Sequence, residues 1–440
     1  MKKNIILFFG LLTSFVLIAQ DDFLIEKNKN KVVIPFKLIN NLVFIPIEVN
    51  GIELNFLLDS GVDETILFSM EEKKEVSFNN VQKIKLRGLG SDEEIEGLKS
   101  TNNILQTHGL KSTNHLVYII LDQGFNLSSH IGIPVNGIIG YKFFKNNIVE
   151  INYQKKKVVV HSNNEKIRDE LGKKYKAIPI TIEKSKPYLN ATAVVNGTEI
   201  LAKLLIDIGN SDSFWIFEND KIELPKKNFP DFLGKGFSGD IEGHRAKISK
   251  FYLADFGFKN PIVAFPDSSS IKNVKMVRGR IGSVGGEILK RFRLVLDYED
   301  KKIYLKPNNK YNEAFTYNKS GITIQHNGLQ WVQETVHFEM VSVINSSDEL
   351  NAKNREQDFK YKFQLKPIYE IVNVRKNSAA QKCGLKSGDV IISINKNRPY
   401  KYTLEQINQL LKSEEDVWIN LEIERNSVLL KFRFRLEDEL

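Results

Sequence analysis

Two parts of the chain share one pattern of apolar stretches and tight turns. Apolar residues dominate positions 41–58 and again 188–206, and each stretch is interrupted once, by Asn50-Gly51 and by Asn196-Gly197. Asn-Gly between two apolar runs is typical of a two-residue hairpin turn, since both turn positions take a positive φ. Each part is therefore predicted to form a β-hairpin.

Further landmarks recur in the same order after each hairpin. Four segments have a second copy, at offsets of 146, 148, 148 and 145 residues. The pairs are Val49–Glu53 with Val195–Glu199, Phe56–Gly61 with Leu204–Gly209, Gly88–Asp92 with Gly236–Asp240, and Gly140–Lys145 with Gly285–Lys290. Because the spacing is nearly constant, we interpret the chain as a duplicated, mainly β unit of about 145 residues per copy.

Polar stretches mark the limits of these copies. Residues 161–176 connect the two copies, and residues 306–320 end the duplication. Beyond them, the apolar positions within residues 403–413 have helical spacing, and Thr403 is a suitable N-cap. The predicted organisation is a leader over residues 1–20, copies over 21–165 and 166–310, and a further domain over 311–440.

The first twenty residues have the layout of a secretory signal peptide. Lys2 and Lys3 precede a nearly wholly apolar stretch over residues 4–18, and Ala19-Gln20 then gives way to two aspartates. The apolar stretch is short for a membrane span. We expect an exported protein, periplasmic or secreted, with no stable membrane insertion. An uncleaved membrane anchor is the alternative.

Composition excludes several classes of protein. The chain has 440 residues, of which 42% are hydrophobic and 27% charged, as in ordinary globular proteins. Its net charge of +9 is spread along the sequence, so a nucleic-acid partner is not expected. A single cysteine, Cys383, excludes an internal disulfide and a thiolate zinc site. The seven histidines lack metal-ligand spacing, and no metal or other cofactor is expected.

In each copy an apolar strand runs directly into Asp-X-Gly. The motifs are Asp59-Ser60-Gly61 and Asp207-Ile208-Gly209. An ionised carboxylate at the end of a buried strand is costly unless it has a partner or a function. A pseudo-twofold duplication would bring the two turns together, and two touching carboxyl groups hold one proton between them. Such a pair can deprotonate a water and protonate a peptide carbonyl.

Residues 32–310 resemble a single-chain aspartic peptidase of the pepsin and retropepsin type. The resemblance implies two pseudo-twofold-related β-barrel lobes with Asp59 and Asp207 as the catalytic residues. It further identifies Ile138-Ile139-Gly140 and Val284-Gly285 as the family's apolar-Gly segments, each of which precedes a helical turn. The implied loop-bracing residues are Ser60, Gly61, Gly209 and Asn210, and the implied flap residues are Gly88, Leu89, Gly90, Phe237 and Ser238.

The second motif departs from the family pattern. Family members carry Thr or Ser after each aspartate, and that hydroxyl bonds across to the opposite loop. Ser60 retains it, whereas Ile208 does not. The loss either loosens the aspartate pair, at about 1–3 kcal/mol for an unpaired buried amide, or is offset. The offset would come from Asn210 bonding the Asp207 carboxylate, or from apolar packing around Ile208.

The C-terminal segment resembles a PDZ domain, an α+β peptide-binding module. The resemblance is carried by residues 374–395, which include Cys383-Gly384-Leu385 and Ser387-Gly388-Asp389-Val390. It implies that the helix within residues 403–413 walls a groove for peptide C-termini. The implied groove residues are Gly321, Ile322, Thr323 and Ile324 at the carboxylate loop, with Ile407 and Leu411 on the helix. Because residues 345–358 form a polar insertion, the sequence does not fix the position of the groove edge.

These features together predict an exported aspartic endopeptidase whose PDZ domain recruits peptide or protein substrates. The alternative is a peptide-binding scaffold with a weakened site, because Ile208 replaces the usual Thr or Ser.

Overall fold

The computed structural model describes residues 22–68, 75–86, 95–121, 126–236, 239–272, 276–337 and 359–440. The first part of this structure contains β1 (Leu24–Ile25), β2 (Lys31–Pro35), β3 (Lys37–Ile39), β4 (Leu42–Val49), β5 (Ile52–Leu58), β6 (Thr65–Leu67), β7 (Gln82–Leu86), β8 (Ile95–Thr107), β9 (Leu110–Ile120), α1 (Leu127–Ile131), β10 (Gly137–Ile139), α2 (Tyr141–Phe144), β11 (Ile148–Asn152) and β12 (Lys157–His161).

The second part contains α3 (Glu165–Lys174), β13 (Lys176–Pro179), β14 (Thr181–Glu183), β15 (Lys186–Val195), β16 (Thr198–Ile206), β17 (Phe214–Ile216), β18 (Asn228–Gly236), β19 (Gly239–Lys247), β20 (Lys250–Leu253), β21 (Phe256–Lys259), β22 (Ile262–Pro266), α4 (Ser268–Ile271), β23 (Arg280–Val284), α5 (Gly286–Leu289), β24 (Phe292–Asp297) and β25 (Lys302–Pro307).

The C-terminal part contains β26 (Ile322–His337), β27 (Phe359–Val374), α6 (Ala379–Cys383), β28 (Val390–Ile394), a 3₁₀ turn (Pro399–Lys401), α7 (Leu404–Leu411), β29 (Trp418–Arg425) and β30 (Val428–Arg435). The fold is mainly β, as the sequence predicted. Among the described residues, no helix is long and apolar enough to cross a membrane.

Both predicted hairpins are present. Strands β4 and β5 pair antiparallel with Val49 opposite Ile52, and Asn50 and Gly51 have φ values of 49° and 94°. The later hairpin, β15 with β16, turns at Asn196 and Gly197 with φ values of 51° and 82°. Positive φ at both turn positions fits the right-handed twist of the flanking strands, and for this reason Asn-Gly occurs there.

Two large sheets have matching central strand paths and differ at their edges. The first runs β1-β9-β6-β10-β5-β4-β8-β7, with β3 beside β4. The second runs β18-β19-β22-β17-β23-β16-β15-β20-β21, with β14 beside β15. In each sheet, the return strand of the hairpin (β5 or β16) has a parallel neighbour, β10 or β23. The two copies therefore place equivalent strand ends at equivalent positions.

A third sheet joins the copies. Its order is β13-β25-β24-β11-β12-β2, and its centre is the antiparallel pair β11 and β24, one strand from each copy. One apolar core continues through both copies and includes Phe56, Ile206, Phe144 and Leu294, all at most 1% exposed. The two copies therefore share one sheet and one apolar core.

The polar connector contains a helix that its composition did not predict. Helix α3 begins after Asn164, whose side chain accepts a hydrogen bond from the Ile167 amide at 3.0 Å. Only Leu171 is buried on this helix. Arg168 holds it to the third sheet through an ion pair of 2.7 Å with the buried Asp297.

The C-terminal domain has its own sheet and core. Its strand order is β26-β27-β28-β29-β30, and its core includes Ile371, Ile391, Leu421 and Ile423. Helix α7 agrees with the sequence prediction: Thr403 is its N-cap, and Gln406 completes a capping box. The polar insertion over residues 345–358 lies outside the described residues.

Candidate active site

Asp59 follows β5 and Asp207 follows β16, and each aspartate is held by the strand that runs parallel to the one before it. The Asp59 amide donates to the Ile139 carbonyl at 2.9 Å, and the Asp207 amide donates to Val284 at the same distance. These carbonyls belong to β10 and β23, the parallel neighbours of β5 and β16. The duplicated strand path thus brings two Asp-X-Gly loops to one place between the lobes.

Two further glycines allow this arrangement. A Cβ at Gly140 would lie 1.9 Å from the Val62 carbonyl oxygen, and one at Gly285 would lie 2.5 Å from the Asp212 carbonyl oxygen. Any side chain at either position would push the aspartate loop away. Gly140 and Gly285 end the two apolar-Gly segments that the sequence analysis identified, and the structure places both segments against the aspartate loops.

The carboxyl groups of Asp59 and Asp207 lie side by side, since a Cβ at Gly61 would be 3.1 Å from Asp59 Oδ1 and about as far from the nearest oxygen of Asp207. The Gly61 amide donates to Asp59 Oδ1 at 2.7 Å. A Cβ at Gly209 would lie 2.2 Å from the Asp59 carboxyl carbon, whereas one at Gly61 would lie 3.2 Å from Asp207 Oδ1. Glycine at position 209 is therefore a requirement for contact between the two carboxyl groups.

Burial and mutual repulsion both favour a proton on this pair. Burial, followed by the charge of Asp207, raises the pKa of Asp59 to about 8. Burial also raises the pKa of Asp207, but the positive charges of Arg280 and Lys186 oppose that rise. Lys186 opposes the rise at both carboxyl groups and Arg280 opposes it at Asp207, so the two groups titrate as one pair that shares a proton.

Ser60 connects the two loops. Its hydroxyl donates to the Ile206 carbonyl at 2.6 Å and accepts from the Ile208 amide at 3.0 Å. The Ile208 side chain is fully buried in the core shared by both lobes. One hydroxyl, that of Ser60, thus connects the two loops. At position 208, where the family has a second hydroxyl, apolar packing takes its place.

Asn210 does not contact the Asp207 carboxylate. Its side-chain amide donates to Ser283 Oγ at 3.3 Å, and its carbonyl oxygen accepts from the Asp212 amide at 2.9 Å. The hypothesis that Asn210 replaces the hydroxyl missing at position 208 is therefore wrong. A local turn two residues long satisfies the side chain instead.

The aspartate pair lies in a cleft of about 1230 Å³. Both lobes line it, with Val62, Lys186, Trp215 and Arg280 among the lining residues. The hairpin of β18 and β19 contributes Phe232, Leu233 and Ile241 to the same wall. Gly88, Leu89, Gly90, Phe237 and Ser238, which the sequence assigned to flaps, lie outside the described residues.

Residues of the C-terminal domain line this cleft as well. They come from the start of β26 and from one face of α7, and they are Gly321, Thr323, Ile324, Asn408 and Lys412. A comparison with protein families identifies the module. Residues 370–425 match the family model of the PDZ domain. PDZ domains bind peptides as an added strand at a sheet edge. No curated protein matches the chain.

The predicted groove residues of the PDZ domain take two different roles. Ile322, Ile324, Ile407 and Leu411 are 1–3% exposed and form part of the domain core. The Gly321 amide donates to Asn318 Oδ1 at 3.3 Å, and the Ile322 amide donates to Ser320 Oγ at 3.2 Å. The amides assigned to a peptide carboxylate therefore already make hydrogen bonds within their own loop.

Three charged residues near the site were not found from the sequence. Lys186 and Arg280 act on the aspartate pair, and Lys412 lines the cleft from the PDZ domain. Lys186 and Arg280 begin strands, and no motif marks them. Lys412 could have been found, since it follows Leu404 and Asn408 at helical intervals on the predicted groove helix. Within the described ranges, no group of three or more His, Cys, Asp or Glu could hold a metal ion.

Proposed function

We propose that this protein is an exported aspartic-type endopeptidase with two pepsin-like lobes and a substrate-recruiting PDZ domain. The observation that carries the proposal is the juxtaposition of the Asp59 and Asp207 carboxyl groups, at the meeting point of two matching loops inside a large cleft. Carboxyl pairs that share one proton are suited to acid–base hydrolysis of amides. The leader-like sequence of residues 1–20 supports export, to the periplasm or by secretion.

The proposed reaction begins with a water held between the two carboxyl groups. Ionised Asp207 accepts a proton from this water, and the water oxygen bonds to the carbonyl carbon of the scissile peptide. Asp59 gives its proton to the carbonyl oxygen, which produces a tetrahedral diol. The C–N bond then breaks as the departing nitrogen takes a proton from Asp207. One hydroxyl of the diol returns its proton to Asp59, so that an acid and an amine remain.

Neighbouring residues support these separate roles. Burial raises the pKa of both carboxyl groups and Lys186 opposes that rise at both, whereas the charge of Arg280 favours the ionised form of Asp207, which is the member assigned here as the base. Ser60 holds the loops at a fixed separation through its bonds to Ile206 and Ile208. Positioning of this kind is needed because proton transfer requires hydrogen-bond contact with the reacting atoms.

A second candidate function is a peptide-binding scaffold with an idle site. It is favoured by Ile208, which leaves the two loops with one bracing hydroxyl where the family has two. In this case the cleft and the PDZ domain would clamp a peptide without hydrolysing it.

Digestion of a peptide library across about pH 3 to 8 distinguishes the two functions. The chain without its leader is compared with Asp59→Asn and Asp207→Asn, each of which removes one member of the pair. Asp255→Asn is the matched control, because Asp255 is 72% exposed and pairs only with Lys176 among the described residues. The endopeptidase function requires cleavage by the wild type and the control alone. Binding of library peptides without cleavage at any pH would establish the scaffold.

A further inference from the structure

Arg280 presents a guanidinium group to the cleft from the second lobe. It is the first residue of β23, and it lines the cleft together with Tyr188 and Phe217. Its Nε donates a hydrogen bond to the Gly282 carbonyl at 3.0 Å, and its guanidinium carbon lies 5.3 Å from the centroid of the Phe217 ring. These two contacts fix the direction of the group.

The positive charge of Arg280 has no carboxylate bound to it. Among the residues that the structure describes, no carboxylate lies within ion-pair distance of the guanidinium, and its two terminal nitrogens have no hydrogen-bond acceptor. Other cations of the cleft wall are already paired: Lys186 with Asp63 at 3.5 Å, Lys235 with Asp240 at 2.8 Å, and Arg245 with Asp212 at 2.7 Å. A carboxylate that enters the cleft can therefore bind Arg280 without displacing an existing partner.

Arg280 keeps its charge in this half-buried position. Burial lowers the pKa of Arg280, and the charge of Asp207 opposes that change. Because a guanidinium in a protein stays protonated, the group is a cation at neutral and acidic pH. Partial burial also reduces competition from water, so a charge-assisted hydrogen bond formed here is stronger than one at the surface.

The free edge of this guanidinium fits the end of a Glu or Asp side chain. Since Nε is engaged by Gly282, the two terminal nitrogens form a fork, and a carboxylate can accept one hydrogen bond from each. The rings of Phe217 and Tyr188, which line the same cleft, offer apolar surface to the stem of such a side chain.

The position of Arg280 places this contact near the scissile bond. Val284 lies four residues further along β23, and its carbonyl accepts a hydrogen bond from the Asp207 amide at 2.9 Å. Four residues of strand span about 13 Å, and an extended peptide has a similar rise per residue. The substrate residue that reaches Arg280 is therefore at most about four positions from the peptide bond held at the aspartate pair.

We propose that Arg280 is a specificity residue that binds the carboxylate of a substrate Glu or Asp within about four positions of the scissile bond. The substrate class is then an acidic stretch of polypeptide. The cleavage part of this inference rests on the proposed function, whereas the carboxylate part does not. The influence of Arg280 on Asp207 acts on every substrate alike, so the specificity role is measured as the ratio between a Glu peptide and its matched Gln peptide.

Fluorescence anisotropy with the full leaderless chain carrying Asp59→Asn measures binding without cleavage. The probes are N-terminally labelled, C-terminally amidated pools of random Ala, Val, Leu, Phe and Ser sequence, in which one position at a time carries Glu or Gln. Amidation removes the terminal carboxylate, so that only the side chain is varied. At the best position we expect the Glu pool to bind at least about tenfold more tightly than the Gln pool.

Two further variants and one control assign this ratio to Arg280. Arg280→Gln should bring the ratio to about one, and Arg280→Lys should retain part of it, since a lysine keeps the charge but not the fork. Arg278→Gln is the matched control, because Arg278 is exposed, precedes Arg280 by two residues and is not among the residues that line the cleft. It should preserve the ratio.

A ratio near one at every position, binding of neither pool, or an unchanged ratio in Arg280→Gln would overturn the inference. The active chain is then given the unlabelled pools, and kcat/KM and the cut sites are read by mass spectrometry. Cuts at a constant distance from Glu, with a Glu preference that Arg280→Gln abolishes, support the specificity role. Equal losses for Glu and Gln peptides in Arg280→Gln refute it. A Glu preference in binding with no cleavage by any variant would refute the endopeptidase while retaining the carboxylate site.

Discussion

Replacing Ser60 with alanine tests the connection between the two lobes. The Ser60 hydroxyl makes two hydrogen bonds across the interface, to the Ile206 carbonyl at 2.6 Å and from the Ile208 amide at 3.0 Å. Ser60, Ile206 and Ile208 are each 0% exposed. Water therefore has no direct access to the backbone groups that Ser60→Ala would leave without a partner.

The expected loss of stability follows from these two groups. A buried donor or acceptor left unsatisfied costs about 1–3 kcal/mol. The two together give about 2–6 kcal/mol, and relaxation of the loops favours the lower half, about 3 kcal/mol. Folded domains have net stabilities of about 5–15 kcal/mol, so this change is a substantial part of the total. The expected loss of stability is the same whether or not the aspartate pair is catalytic.

Urea unfolding followed by hydrogen-exchange mass spectrometry measures this loss separately for the lobes and the PDZ domain. The separation is needed because the PDZ domain has its own core. Ser249→Ala is the matched control: its hydroxyl donates to the Val194 carbonyl at 3.1 Å, but Ser249 is exposed. The control should change the free energy of unfolding by less than about 0.5 kcal/mol. If Ser60→Ala lowers the free energy of unfolding of the lobes no more than Ser249→Ala does, the bracing role of Ser60 is refuted.

Three further predictions concern the same loops. Because the folded state raises the pKa of Asp59 from 3.8 to about 8, it retains a proton that the unfolded chain loses. Stability should therefore fall as pH rises through this interval, and denaturant melts of Asp59→Asn should show a weaker pH dependence. Gly209→Ala should unfold at a lower temperature and lose any peptide cleavage, since its Cβ would lie 2.2 Å from the Asp59 carboxyl carbon. The control is Gly172→Ala, which should stabilise helix α3 because a Cβ there meets nothing within 4 Å. Ile208→Thr should be about 1 kcal/mol less stable than the isosteric Ile208→Val, because its hydroxyl enters the apolar core in which Ile208 is buried. The reverse order in urea melts would show that the opposite loop offers this hydroxyl a hydrogen-bond partner.

Local sequence signals predicted the parts of the fold that depend on few residues. Asn-Gly turns require positive φ at two adjacent positions, and Asp-X-Gly loops require a glycine beside a carboxylate. Both features are readable without knowing what packs around them. Their repetition at a constant offset predicted that the chain contains two similar units, and the two large sheets have matching central strand paths.

The sequence was less informative where long-range contacts decide the structure. Helix α3 is polar on nearly every side, and its attachment depends on Arg168 reaching Asp297, which is 129 residues away in the sequence. Asn210 was misassigned because its nearest partner is the Asp212 amide rather than the neighbouring carboxylate. Arg280 affects Asp207 only because β23 lies beside β16, and a single sequence does not reveal that pairing.

The attachment of the PDZ domain to the second lobe bears on how it could serve the cleft. Arg375 of the PDZ domain lies over the Phe229 ring at 4.0 Å and is 3.6 Å from Asp231, and both partners belong to β18. Asp231 also pairs with Arg245 of β19 at 2.6 Å. The same hairpin that lines the cleft is thus held to the PDZ domain by the buried Arg375 and the half-buried Asp231. Under the proposed function, a domain that only concentrated substrates would need no fixed orientation, so this interface fits a PDZ domain that presents a bound peptide to the aspartate pair.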